Sequence, residues 1–157
     1  VTAGVHLKTE LKLDEHDVLQ TRSTLTNIRA GVYQVNRFAN TLPLPVRVNE
    51  LMTYYGRWVH EFQTVRQPLL QGGYQQENRR GRTSHEHYPA LVAGTSHFDE
   101  MNGEVWGFHF AWSGNHRLRV DVKADGTVFV GGARIVAANG RMSNGYVHTV
   151  NRVLGSK

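Results

Sequence analysis

Gly103-Glu-Val-Trp-Gly-Phe-His-Phe-Ala-Trp-Ser-Gly-Asn115 is the stretch on which the fold turns. Trp106, Phe108, Phe110 and Trp112 recur at every second position and so lie on one face of an extended strand, which a Gly114-Asn115 turn ends. A row of large rings along one strand face demands a second layer to cover it. Downstream, Leu118, Val120 and Val122 alternate with Arg117, Arg119, Asp121 and Lys123, and Asp125-Gly126 then turns the chain into Val128 and Val130. Asp-Gly between two alternating runs is a strong hairpin signal.

Upstream, Val5, Leu7, Leu11 and Leu13 share one parity while His6, Lys8, Glu10 and Lys12 take the other, and Asp14 to Asp17 makes a polar turn into a second strand from Val18 to Asn27. Tyr33, Val35 and Phe38 predict a strand from Val32 to Leu42, closed by Pro43 and Pro45 because proline donates nothing to a ladder. Leu51 to Val65 fits either helical or strand spacing and is read as strand. Gln67 to His87 lacks periodicity and reads as a long loop, Leu91 to Thr95 as a short strand, and Tyr146 to Leu154 as a last edge strand beyond successive turns at 137–140 and 143–145. Many short strands and frequent turns predict an all-β, two-sheet antiparallel sandwich with little helix, one domain over 1–157 with its tail, 133–157, weakly patterned.

The chain has 157 residues, too few for a (β/α)₈ barrel, which takes roughly 200 or more. It has no cysteine, and hence neither disulfides nor thiolate metal ligands, which fits a reducing compartment and makes the cytoplasm the expected location. No apolar run approaches the roughly 20 residues of a helical membrane span, and no basic-then-apolar leader opens the sequence, so no membrane partner is expected. Net charge is +5, but the arginines are scattered singly apart from Arg79-Arg80-Gly81-Arg82. Without a basic helix or an RNA-binding aromatic signature, that distribution argues against nucleic acid.

His85-Glu86-His87 places two imidazoles on one side of an extended segment, yet no third ligand stands at a telling spacing, and no metal or other cofactor is expected. Ser84 beside His85 carries no nucleophile-elbow motif. Lys12-Leu13-Asp14 and Lys123-Ala124-Asp125 sit at turns and are read as turns. Trp106, Phe108 and Phe110 are expected in the core, whereas Trp112, at the strand end beside Ser113 and Asn115, suits an interface as well as packing.

Gly56-Arg57-Trp58-Val59-His60-Glu61, Arg79-Arg80-Gly81-Arg82-Thr83-Ser84-His85, Gly103-Glu104 with Gly107-Phe108, and Trp112-Ser113-Gly114-Asn115 occur in this order. Together they resemble the amino-terminal domain of the α-galactosidases of glycoside hydrolase family 36, over about Leu11 to Gly132. The resemblance implies a non-catalytic, supersandwich-like domain preceding a separate catalytic barrel, in a parent that hydrolyses terminal α-galactosides such as melibiose or raffinose-type oligosaccharides with retention. It implies contact with that barrel and with other subunits of a homo-oligomer, and loops lent to the active-site rim. No catalytic residue is carried over. Arg57, Trp58, Glu61, Arg79, Arg80, Arg82, Ser84, Trp112, Ser113 and Asn115 are the candidates for barrel, subunit or substrate-rim contacts. Two features depart from the family pattern: strands expected before Val1 are missing, and the lead into the barrel is not recognisable in 134–157. The alternative is an autonomous carbohydrate-binding module using Trp112, Asn115 and the loop arginines.

Overall fold

The computed structural model describes residues 4–131 and 145–153, which form strands and no helix. The strands are β1 (Val5–Leu13), β2 (Val18–Asn27), β3 (Thr41–Leu44), β4 (Glu50–Arg57), β5 (His60–Pro68), β6 (Gly72–Asn78), β7 (His87–Gly94), β8 (Val105–Ala111), β9 (His116–Val122), β10 (Val128–Gly131) and β11 (Gly145–Val153). Seven make an antiparallel sheet in the order β1-β2-β11-β8-β7-β4-β5, and four make a second in the order β3-β10-β9-β6. Leu51, Leu91, Ala93, Trp106, Phe108 and Phe110 of the larger sheet pack with Leu44, Leu118, Val120, Val128 and Val130 of the smaller in one buried cluster. The aromatic face of β8 is thus covered by the β9–β10 hairpin that follows it in sequence. This is the two-layer sandwich that the alternating pattern predicts.

Four expectations are corrected. Residues 32–40 are not strand: they pair with no ladder among the described residues, Val32 is exposed, and Asn40 instead accepts a 2.6 Å hydrogen bond from the Ser23 hydroxyl. Pro43 lies inside β3, where it is tolerated because β3 is the edge of its sheet. Leu51 to Val65 is two strands rather than one. Their hairpin turns at Trp58-Val59 with Val59 at φ 64°, and the register shifts at Gly56, where a Cβ would stand 2.6 Å from the His60 carbonyl oxygen.

The predicted loop from Gln67 to His87 contains β6, an edge strand paired with β9. Its inward side chains, Gln76 and Asn78, are polar and buried, so hydropathy gives no strand signal. Gln76 donates to the Tyr88 carbonyl at 2.6 Å and Asn78 to that of Arg82 at 2.6 Å. β11 lies inside the larger sheet between β2 and β8, not at its edge. The turns read at 137–140 and 143–144 fall outside the described residues.

Leu91 is fully buried and pairs with Phe108 on one side and Thr53 on the other, in the middle of the larger sheet. Leu91→Ala should lower the unfolding free energy by about 2–5 kcal/mol, read from urea denaturation.

Candidate functional site

Three chain segments meet at one end of the sandwich: the β4–β5 hairpin tip, the 79–86 loop between β6 and β7, and the 112–115 turn between β8 and β9. Sequence dictates the loop's shape locally. The Asn78 side chain accepts the Arg80 amide and donates to the Arg82 carbonyl, closing an Asx-type turn around Arg79-Arg80-Gly81. Gly81, at φ 72°, occupies the left-handed region that glycine tolerates. From the neighbouring turn the Asn115 side-chain oxygen accepts the Gly81 amide at 2.7 Å, while the Asn115 carbonyl accepts the Trp112 indole N–H at 3.2 Å. Trp112 is half-buried against the core, so this turn joins the core to the loop.

On the loop's other flank lies an open cleft of about 210 Å³, lined by Tyr54, Glu61, Phe62, Thr83, Ser84, His85 and Tyr88. Phe62 and Tyr88 meet edge to face with ring centres 4.9 Å apart, and Tyr54 contacts both rings at 6.3 Å. Trp58 is 78% exposed at the hairpin tip and stands edge-on to His85 at 5.9 Å. Glu61 accepts the Val59 amide at 2.9 Å and lies 3.7 Å from the His85 Nδ1. Glu61 therefore fastens the hairpin tip and faces His85. Ser84 accepts the His87 amide at 3.4 Å.

The arginine cluster is held by carboxylates of its own chain. Arg80 makes a bidentate pair with Glu86, at 2.9 and 2.7 Å. Glu77 accepts from Arg79 at 2.8 Å and from Arg117 at 2.8 Å. The Arg79 hydrogen bond, reinforced by Arg117 and opposed by burial, pulls the Glu77 carboxyl down to about 2. Amide hydrogen bonds from its own residue and Val59 hold Glu61 below the usual carboxylate range, and Arg80 does the same for Glu86. A glycosidase acid must carry a proton near neutral pH, and all three of these carboxyls are biased the other way. This end of the molecule offers flat rings and fixed charges for contact.

Of the residues singled out from sequence, Trp58, Glu61 and Ser84 gather around the cleft. Trp112 and Asn115 brace the loop that carries Arg79, Arg80 and Arg82. Arg57 and Ser113 are exposed, at the hairpin tip and the 112–115 turn respectively. His85 and His87 diverge: His85 turns to Trp58 and Glu61, while His87 packs on Tyr55 at 5.6 Å. Among the described residues no three His, Asp or Glu side chains cluster as metal ligands. Sequence reading missed Tyr54, Phe62 and Tyr88, which came together only when the hairpin and β7 paired. It also missed Asn78, whose place two residues before Arg80 is an Asx-turn signal that could have found it.

Residues 1–139 match the model of the Glycosyl hydrolase family 36 N-terminal domain. The chain is 51% identical over 128 residues to an alpha-galactosidase of Escherichia coli, covering 82% of this chain and 18% of that protein. It is 39% identical over 75 residues to the alpha-galactosidase AgaA of Geobacillus stearothermophilus, covering 48% of this chain and 10% of the relative. A crystal structure of a variant of that AgaA, in complex with 1-deoxygalactonojirimycin, shares the fold with a TM-score of 0.76 at 22% identity, over 97% of this chain and 22% of the other. The chain thus spans less than a fifth of the length of these curated relatives.

Two variants test this architecture. Asn115→Ala removes the acceptor for the Gly81 amide and should cost about 1 kcal/mol, with faster hydrogen exchange at Gly81 as the local readout. Glu77 has a folded-state pKa below its ordinary value of 4.5, so its stabilisation is complete above 4.5 and is lost as pH falls towards about 2. Glu77→Gln should therefore lower stability at neutral pH and flatten its decline across that acid window, as measured by denaturation at a series of pH values.

Proposed function

The chain belongs to the Glycosyl hydrolase family 36 N-terminal domain family, and on that premise we propose that it is the non-catalytic β-sandwich part of an α-galactosidase. Its parent would hydrolyse terminal α-galactosides, of the melibiose or raffinose type, in a barrel elsewhere in the chain. The observation that carries this reading is coverage: the matched residues make up 18% of the E. coli relative. The domain's work is then to support the barrel and to form contacts between subunits. Trp58, exposed on a strained hairpin, and the arginine loop braced by Asn115 supply a rigid aromatic and a fixed array of guanidinium groups for that surface. We place the protein in the cytoplasm, a reading supported by the absence of cysteine.

A second reading is favoured by the cleft itself. Phe62, Tyr88 and Trp58 present ring surface beside polar Ser84 and Glu61, the mixture with which sugar faces and hydroxyls are held. In that case the domain binds a sugar on its own.

Assayed alone against a chromogenic α-galactoside, the chain should show no turnover, and co-expression with the remainder of its parent should restore activity. Trp58→Ala in the reassembled enzyme should reduce that activity or the association of the two parts without altering the fold of the domain. Turnover by the chain alone would overturn the proposal. Calorimetric binding of galactose to the isolated chain, abolished by Trp58→Ala, would select the second reading.

A further inference from the structure

β9 turns His116, Leu118 and Val120 towards the core, and the first of these is a histidine where the other two are apolar. The His116 side chain is fully buried, with its ring tilted against Phe110 at 5.8 Å between centres. Its Nδ1 lies 3.2 Å from the Gly114 carbonyl oxygen. A carbonyl can only accept, so Nδ1 carries the proton of the neutral imidazole and Nε2 presents a lone pair. Nε2 is buried and has no hydrogen-bond partner among the described residues. Such a ring fits its site only while neutral, because protonation adds an N–H with no acceptor and a charge in the interior.

The charged groups around it do not offer a counter-ion. Glu77 of β6 and Arg117 of β9 pair with each other one residue along the ladder from Asn78 and His116, on the outer face, where Glu77 also holds Arg79. In the 79–86 loop Glu86 is engaged by Arg80, His85 faces Glu61, and Arg82 adds positive charge. Tyr74, inward on β6, directs its hydroxyl to Gln76, and Tyr88 of β7 lines the cleft beside Phe62. His109 of β8 is exposed on the face away from Phe110. His87 of β7 acts on His116 with the same sign of charge. Burial, helped by His87 and opposed by the Gly114 carbonyl, holds the imidazole below its ordinary value of 6.5.

His116 also stands where the loop's supports converge. Asn115, immediately before it, accepts the Gly81 amide at 2.7 Å through its side chain and the Trp112 indole N–H at 3.2 Å through its carbonyl. Across the ladder His116 pairs with Asn78, whose side chain shapes the Arg79-Arg80-Gly81 turn. We propose that His116 is a proton-operated latch: the neutral ring seats the 112–115 turn, and a protonated ring leaves the core, unseats the turn and frees the 79–86 loop while the sandwich stays folded. This concerns the order of the loop and does not depend on the function proposed above. Because the folded value is depressed, the stabilisation is complete above the ordinary 6.5 and is lost as pH falls from there through the folded-state titration.

The test is hydrogen exchange of the full chain by NMR between about pH 7.5 and 5, expressed as protection factors, with the His116 ring titration recorded on the same samples. Protection of the Gly81 amide and the Trp112 indole should be lower than that of central-sheet amides around Leu91 at every pH. It should fall by about tenfold per pH unit from 6.5 down to the titration of the folded imidazole. His116→Phe keeps a ring beside Phe110 and cannot be protonated, so its Gly81 protection should be flat across this range. If that variant does not fold, His116→Asn takes its place, with an uncharged amide that can donate to the Gly114 carbonyl. Three results would each overturn the proposal. The first is Gly81 protection that stays constant while that around Leu91 falls, which makes His116 a core residue exposed only on global unfolding. The second is Gly81 protection equal to that around Leu91 throughout, which means that the loop opens only with the whole sandwich. The third is a pH-dependent loss that persists in the neutral variant, which traces it to another group.

Discussion

The aromatic row of β8 must be kept from water, and the rest of the architecture follows from that constraint. Trp106, Phe108 and Phe110 sit at the middle of a seven-stranded sheet, where neighbouring strands flank them but cannot cover their faces. Only a second layer can do that, and the chain supplies it at once by turning at 112–115 into β9 and then β10. Leu118, Val120, Val128 and Val130 complete the cluster. Burial of such large side chains contributes on the order of 1.5–3 kcal/mol each, more than any single surface ion pair in the molecule.

That packing also builds the end of the sandwich where the candidate residues gather. Because β9 lies over β8, the turn that joins them is drawn to the rim of the sandwich, and β6, paired to β9, delivers its own loop beside it. The loop is then fixed by polar groups. Asn78 shapes it, Asn115 anchors it, and Glu77 ties Arg79 to Arg117 of β9. Buried amides that are fully hydrogen-bonded specify one geometry, since any other leaves a donor or acceptor unpaired. A short arginine-rich loop is thereby fixed by hydrogen bonds and ion pairs at the rim of the sandwich.

The two sheets differ in breadth, seven strands against four, and the excess lies at β1 and β5. At β5 the exposed apolar residues accompany a bulge, two left-handed residues and a proline, so the edge is bent away from pairing. At β1 they accompany a regular antiparallel ladder with β2. Unequal protection of otherwise similar edges is a physical asymmetry of the molecule.

The period-two runs of β1, β8, β9 and β10 were legible in sequence because apolar and polar residues alternate along each, and so was the all-β sandwich class, although the leucine face of β1 is exposed in the structure. The motifs at 56–61, 79–85 and 112–115 marked the family and the residues of the rim. β6 was hidden because two of its inward residues, Gln76 and Asn78, are amides satisfied by backbone carbonyls of the segment that follows it. The β4–β5 turn was hidden because Gly56 and a left-handed Val59, not an Asn-Gly pair, make it. β11 read as an edge because local pattern carries no record of which strands lie on either side. Sequence by itself therefore determined which stretches are strands with a buried face, since that depends on the spacing of side chains along the chain. The tertiary structure alone decided the order of strands in each sheet and the meeting of Trp58, Glu61 and His85, because these depend on hydrogen bonds and contacts between residues distant in sequence.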